Sequence, residues 1–127
     1  MPVVLIVDDS PTEVHVLKTH LEKNGFETVI AEDGESGLKL AKETKPDLII
    51  MDVVMPGMSG FQATRQLAKD PATQDIPVVI VTTKDQETDK VWGMRQGAYD
   101  YIVKPVTEKQ LVDKVNEALS SKRYAHA

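Results

Sequence analysis

Five short apolar runs punctuate the chain: Val3 to Val7, Phe26 to Ala31, Leu48 to Met51, Val78 to Val81 and Tyr101 to Val103. Each has the length and side-chain character of a β-strand. The first, third and fourth are continuously apolar, as in strands covered on both faces; the second alternates and the fifth is short, which predicts that those two are the sheet edges. Between the runs the apolar positions change to helical spacing: Val14, Leu17 and Leu21; Leu38 and Ala41; Phe61, Thr64 and Leu67; Val91, Met94 and Ala98; Leu111, Val115 and Leu119.

Local punctuation supports these boundaries. Ser10 is placed to cap the first helix, Pro11 suits its first position, Glu13 completes a capping box, and Asn24-Gly25 supplies a left-handed stop. Thr107 and Gln110 form a second capping box, Glu32-Asp33-Gly34 reads as a turn and helix start, and Pro71 to Pro77 reads as a surface loop. Strands alternating with helices imply right-handed βαβ crossovers and a doubly wound α/β domain, a five-stranded parallel sheet with helices on both faces. The 127 residues suffice for one core. The expected division is a single domain over 1–121 and a short tail over 122–127.

Composition narrows the setting. No apolar stretch approaches the roughly 18 residues of a membrane span, and the first apolar run stops at Asp8, too early for a secretory signal. Zero cysteines remove disulfides, thiolate nucleophiles and sulfur-ligated metals, and a formal charge of −5 disfavours nucleic acid and anionic lipid as partners. The expectation is a cytoplasmic protein with a protein partner, without direct nucleic-acid binding or membrane insertion.

In an open α/β sheet, ligands bind beyond the carboxyl ends of the strands. The residues there are Asp8 and Asp9, Asp52, Thr82 and Thr83, and Lys104-Pro105. Alone, each has an ordinary reading: Asp8-Asp9 as a capping turn, Asp52 as a turn residue, Thr82 as a strand former, Lys104 as a solvated charge. Together they gather three carboxylates that repel by about 4 kcal/mol per pair at about 4 Å and an effective dielectric of about 20. One lysine cannot neutralise three negative charges, and an all-oxygen cluster suits a hard cation such as Mg²⁺. With the cation and Lys104 in place, an incoming phosphoryl group meets positive charge while an Asp oxygen attacks in line.

Four blocks in order, Val4-Leu5-Ile6-Val7-Asp8-Asp9-Ser10, Leu48 through Asp52 to Gly60, Val79-Ile80-Val81-Thr82, and Gly97 through Tyr101 to Lys104-Pro105, closely resemble the bacterial two-component response regulator receiver family of CheY-like, flavodoxin-like fold. The resemblance covers essentially the whole chain. It implies strand order 2-1-3-4-5, Asp52 as phosphoacceptor, and Asp8, Asp9, Asp52 and the Val54 backbone carbonyl around Mg²⁺, with Asp9 and Asp52 bound directly and Asp8 through water. It further implies that Thr82 and Lys104 hold phosphoryl oxygens, that Pro105 follows a cis peptide bond, and that Tyr101 is an aromatic switch coupled to Thr82. Output is expected from the fourth helix, fifth strand and fifth helix, including Tyr101; Trp92 reads either as a helix-edge residue packing on its neighbours or, with Arg95 beside it, as an anchor for a partner. Val54 and Lys84 occupy positions that tune phosphoryl lifetime, and aliphatic Val54 predicts slow-to-moderate self-hydrolysis.

The chain resembles most the stand-alone receivers of chemotaxis-like systems that control pilus-driven twitching motility, notably through Val91 to Ala98. The implied protein is a phosphoacceptor signalling protein that assists its own phosphorylation and dephosphorylation. Its implied donor is a sensor histidine kinase or histidine phosphotransfer domain, and its target a downstream motility protein. A haloacid-dehalogenase-type phosphatase is disfavoured because Val54 stands where its general acid is needed. A flavin carrier is disfavoured because Asp8 and Asp9 would repel the cofactor phosphate, and the intact set of chemical residues argues against a phosphorylation-independent scaffold.

Overall fold

The computed structural model describes residues 1–125. Its strands are β1 (Val3–Val7), β2 (Glu27–Ala31), β3 (Leu48–Met51), β4 (Val78–Thr82) and β5 (Asp100–Val103), alternating with α1 (Pro11–Lys23), α2 (Gly34–Thr44), α3 (Gly60–Lys69), α4 (Glu87–Arg95) and α5 (Glu108–Ala125). All pairings are parallel, in order β2-β1-β3-β4-β5, so the alternating and short runs do lie at the edges.

The two-residue period of a strand sends alternate side chains into two separate cores. From β1, Val4 and Ile6 pack with Leu17 and Leu21 of α1 and Leu111 and Val115 of α5. Leu5 and Val7 enter the opposite core with Ala41 of α2 and Ala63 and Leu67 of α3. All four β1 residues are buried, each burial stabilising the fold by about 1.5–3 kcal/mol. That explains why β1 is uniformly apolar and why its end is held firmly enough to present a site.

Ser10 caps α1 by accepting from the Glu13 N–H at 3.4 Å, and Gly25 takes the left-handed conformation at φ +87°. The reciprocal half of the expected box is absent from α1, because the Glu13 carboxylate faces Lys104 instead. The Thr107–Gln110 box forms in both directions. A further box, Ser59 with Gln62 at the start of α3, escaped the sequence reading although its spacing is the standard one.

The stripe expected on α4 is corrected by the structure. Val91 and Met94 are each 45% exposed, and the helix instead buries Gly93. A Cβ on Gly93 would lie 2.9 Å from Ile80 and 3.0 Å from Tyr101, so α4 sits on the sheet through a residue without a side chain. The α5 helix continues past Ser121 to Ala125, into the segment expected to be a tail; residues 126–127 lie outside the described residues.

Candidate functional site

Strand register assembles the site. Val7 pairs with Met51, so Asp8 and Asp52 leave adjacent strands side by side, and Thr82 pairs with Val103, which precedes Lys104. Main-chain bonds carry the pairing one residue further, from Asp52 N–H to Val7 O at 2.9 Å and from Lys104 N–H to Thr82 O at 2.8 Å. Buried groups from β1, β3, β4 and β5 therefore meet at one rim.

There, Lys104 Nζ donates to Asp8 Oδ2 at 2.8 Å and lies 3.6 Å from Asp52 Oδ2 and 3.7 Å from Glu13 Oε2. Its side chain is 5% exposed. Asp8 Oδ1 accepts from the Ser10 N–H at 2.9 Å, and Asp52 Oδ1 accepts from the Val53 N–H at 2.7 Å. Asp9 is exposed, yet it offers a carboxylate oxygen within 4.8 Å of oxygens of Asp8 and Asp52. The sequence expectation of an acidic trio beside a lysine corresponds to this geometry, whereas Glu13 as a fourth carboxylate was visible only as a capping residue.

Burial pushes the Asp52 carboxyl above its ordinary pKa; the Thr82 hydroxyl and the Lys104 ammonium pull against it, and the Asp8 charge adds to the rise. Burial disfavours the Lys104 charge, but the Asp8 hydrogen bond and the Asp52, Asp8 and Glu13 charges outweigh it, leaving Lys104 above the usual lysine value. The pocket thus holds a permanent cation against a carboxylate whose ionisation is resisted.

The β3–α3 loop is held close. The Gly60 N–H donates to Val53 O at 3.0 Å. A Cβ at Gly60 would overlap the Asp52 carbonyl oxygen and lie 2.7 Å from its carbon and 2.8 Å from Val53 Cα. Only glycine admits this approach of helix start to strand end. The Val54 side chain is exposed beside it.

Thr82 is buried, and its Oγ1 lies 3.4 Å from the Lys84 N–H. The buried Tyr101 donates its hydroxyl to the Lys84 carbonyl at 2.8 Å. Burial, followed by the charges of Asp89, Asp52 and Asp85, pushes the Tyr101 phenol up to about 12. The Lys104–Pro105 peptide is cis, as the resemblance implied. Trp92 and Arg95 are exposed on α4 and line clefts shared with α3, while the Tyr101 ring lies under Gly93 of the same helix.

The response regulator receiver domain model matches residues 4–116. The chain belongs to this family. As a receiver it is 60% identical over 117 residues to Protein PilH of Pseudomonas aeruginosa, covering 92% of this chain and 97% of that protein. It is 40% identical over 116 residues to the phosphate regulon transcriptional regulatory protein PhoB of Escherichia coli, covering 91% of this chain and 51% of that protein. Among solved structures, it resembles the chemotaxis protein CheY4 of Vibrio cholerae, with TM-score 0.87, 30% identity and coverage of 93% and 98% of the two chains. A response regulator receiver domain protein from Clostridium thermocellum gives TM-score 0.90 at 30% identity, covering 98% and 99%.

Receivers generally bind Mg²⁺, and the residues present fit it. The donor atoms are all carboxylate oxygens, one carboxylate opens to solvent, and Lys104 alone leaves the acidic trio undercompensated. Among the described residues no helix is long and apolar enough to cross a membrane.

Proposed function

We propose that Asp52 is the phosphoacceptor of this receiver and that residues 1–121 are the unit that carries the reaction. The observation that carries the reading is the Lys104 ammonium held 2.8 Å from Asp8 and 3.6 Å from Asp52 beside the acidic trio. Asp52 Oδ1 is engaged by the Val53 N–H, so Oδ2, on the lysine side, is the oxygen free to attack. In that step a new oxygen–phosphorus bond forms as the phosphorus–nitrogen bond of a donor phosphohistidine breaks, its electron pair leaving with the imidazole. Lys104 then exchanges Asp52 for a phosphoryl oxygen, and the Thr82 hydroxyl takes another.

Asp8, Asp9, Asp52 and the Val54 carbonyl would hold Mg²⁺, which when bound supplies the remaining positive charge for the phosphoryl oxygens. The same groups would serve both self-phosphorylation and later hydrolysis. Phosphorylation biases an equilibrium through Thr82 and Tyr101 toward the state in which the α4–β5–α5 surface engages a target. The 60% identity to PilH supports a role in pilus-driven twitching motility, with a sensor histidine kinase or histidine phosphotransfer domain as donor, a motility protein as target, and the cytoplasm as location.

Intact-mass measurement after incubation with acetyl phosphate and Mg²⁺ tests the acceptor. The wild-type chain gains one phosphoryl group and Asp52→Asn gains none. An unchanged wild-type mass, or equal labelling of the variant, overturns the reading.

A further inference from the structure

Away from the phosphoacceptor rim, two adjoining clefts run between α3 and α4, of about 340 Å³ and about 520 Å³. Arg65 of α3 borders both. The first also carries Lys69 and Arg95, and the second Phe61 and Trp92, with Gln96 shared between them. No acidic side chain lines either one, although the chain has 20 acidic residues against 15 basic ones. Among the described residues, Arg65, Lys69 and Arg95 make no ion pair, while other lysines, such as Lys42, Lys109 and Lys114, do.

The floor is as informative as the rim. Gln96 is buried and spends its side-chain amide on the Trp92 carbonyl at 3.3 Å, which closes the end of α4 and leaves the Trp92 ring outside the core, 49% exposed. A large exposed indole beside unpaired guanidinium groups is the composition of an interface anchor. Both clefts are more open to solvent than enclosed.

We infer that the α3–α4 groove is a docking site for an acidic, amphipathic segment of a partner protein. Its carboxylates pair with Arg65, Lys69 and Arg95 while an apolar side chain covers Trp92 and Phe61. Charge complementarity selects this occupant: the groove is a cationic strip on a chain of net charge −5, and a second copy would bring its own net negative charge along with the same cationic strip. This surface lies on the α3 side of α4, and its occupancy does not require phosphorylation.

The chain's single tryptophan is a built-in reporter. The full chain is titrated with a helical peptide of alternating Glu and Leu faces and with its Lys-for-Glu counterpart, following Trp92 emission. The acidic peptide shifts the emission to the blue and binds more weakly as salt is raised, while the basic peptide leaves it unchanged. Arg65→Glu weakens binding by at least about tenfold. Lys39→Glu, an equal charge change on exposed α2, leaves it intact, and Asp52→Asn binds like wild type.

Equal response to both peptides, no response to the acidic one at millimolar concentration, or an unaltered affinity in Arg65→Glu overturns the inference. A doubled sedimentation mass that Arg65→Glu abolishes would assign the groove to a second copy instead. Because Asp52→Asn is expected to bind, failure here is separable from failure of the phosphoacceptor reading.

Discussion

Replacing Asp52 by Asn should make the metal-free protein more stable. Asp52 is 7% exposed, with Lys104 at 3.6 Å and Asp8 and Asp9 oxygens within 4.8 Å. At an effective dielectric of about 20, the ammonium attracts the carboxylate by about 5 kcal/mol and Asp8 repels it by about 3 to 4 kcal/mol. Solvent-exposed Asp9 adds roughly 1 kcal/mol of repulsion. Attraction and repulsion nearly cancel, so the desolvation of the charge is offset only in part, by the Thr82 and Val53 hydrogen bonds, in keeping with a carboxyl held above its ordinary pKa. Asn keeps the shape and removes the charge, for an expected gain of about 1–2 kcal/mol, or roughly 4–8 °C in Tm.

The pH dependence follows in sign. A folded-state pKa above the unfolded value means that the Asp52 contribution favours folding most below the ordinary carboxylate range and is lost as pH rises through the folded value. The advantage of Asn is therefore full at neutral pH and vanishes in acid. Mg²⁺ should stabilise wild type, by about 1.4 kcal/mol at ten times its Kd, and do much less for the variant. Urea unfolding of both proteins in EDTA and in Mg²⁺, at neutral and acidic pH, measures every part of this. An Asn variant weaker than wild type in EDTA at neutral pH, or equal stabilisation of both by Mg²⁺, would refute the reasoning.

Gly60→Ala should lose about 2–3 kcal/mol in urea unfolding, because the added methyl overlaps the Asp52 carbonyl, whereas Gly57→Ala, strained at φ +74° but in open space, should lose about 1 kcal/mol. Lys104→Met, which leaves Asp8 and Asp52 buried without their cation, should slow labelling by acetyl phosphate by about a hundredfold or more; labelling at the wild-type rate would contradict the role given to the ammonium. Tyr101→Phe should cost about 1 kcal/mol through the lost bond to the Lys84 carbonyl. In wild type the corresponding phenolate absorbance should appear only as pH approaches about 12, and this side chain's contribution to stability should fall as pH rises from near 10 through that value.

The sheet was legible because its order of burial is written in hydropathy: β1 and β3 have the expected limits, and the weaker runs became the edges. The rim was legible because chemistry in this class of fold collects past strand ends, and Asp8, Asp52, Thr82 and Lys104 all stand there. The face of α4 was not. Val91 and Met94 have the spacing of a buried stripe, but the contact is made by Gly93, and a missing side chain carries no hydrophobic signal. Glu13 was read as a cap because sequence spacing reports local partners, whereas its partner Lys104 lies on another strand end. The α3–α4 groove was hidden for the same reason, since Arg65 and Arg95 become neighbours only when the two helices are set side by side.

Lys84 connects Thr82 and Tyr101 with its main chain: its amide faces the threonine hydroxyl and its carbonyl receives the phenol. Its ammonium points elsewhere, 3.9 Å from Asp89. The main-chain connection between the Thr82 hydroxyl and the Tyr101 phenol therefore does not depend on which side chain stands at this position. The charge beside the site can change with this side chain while both main-chain contacts stay in place.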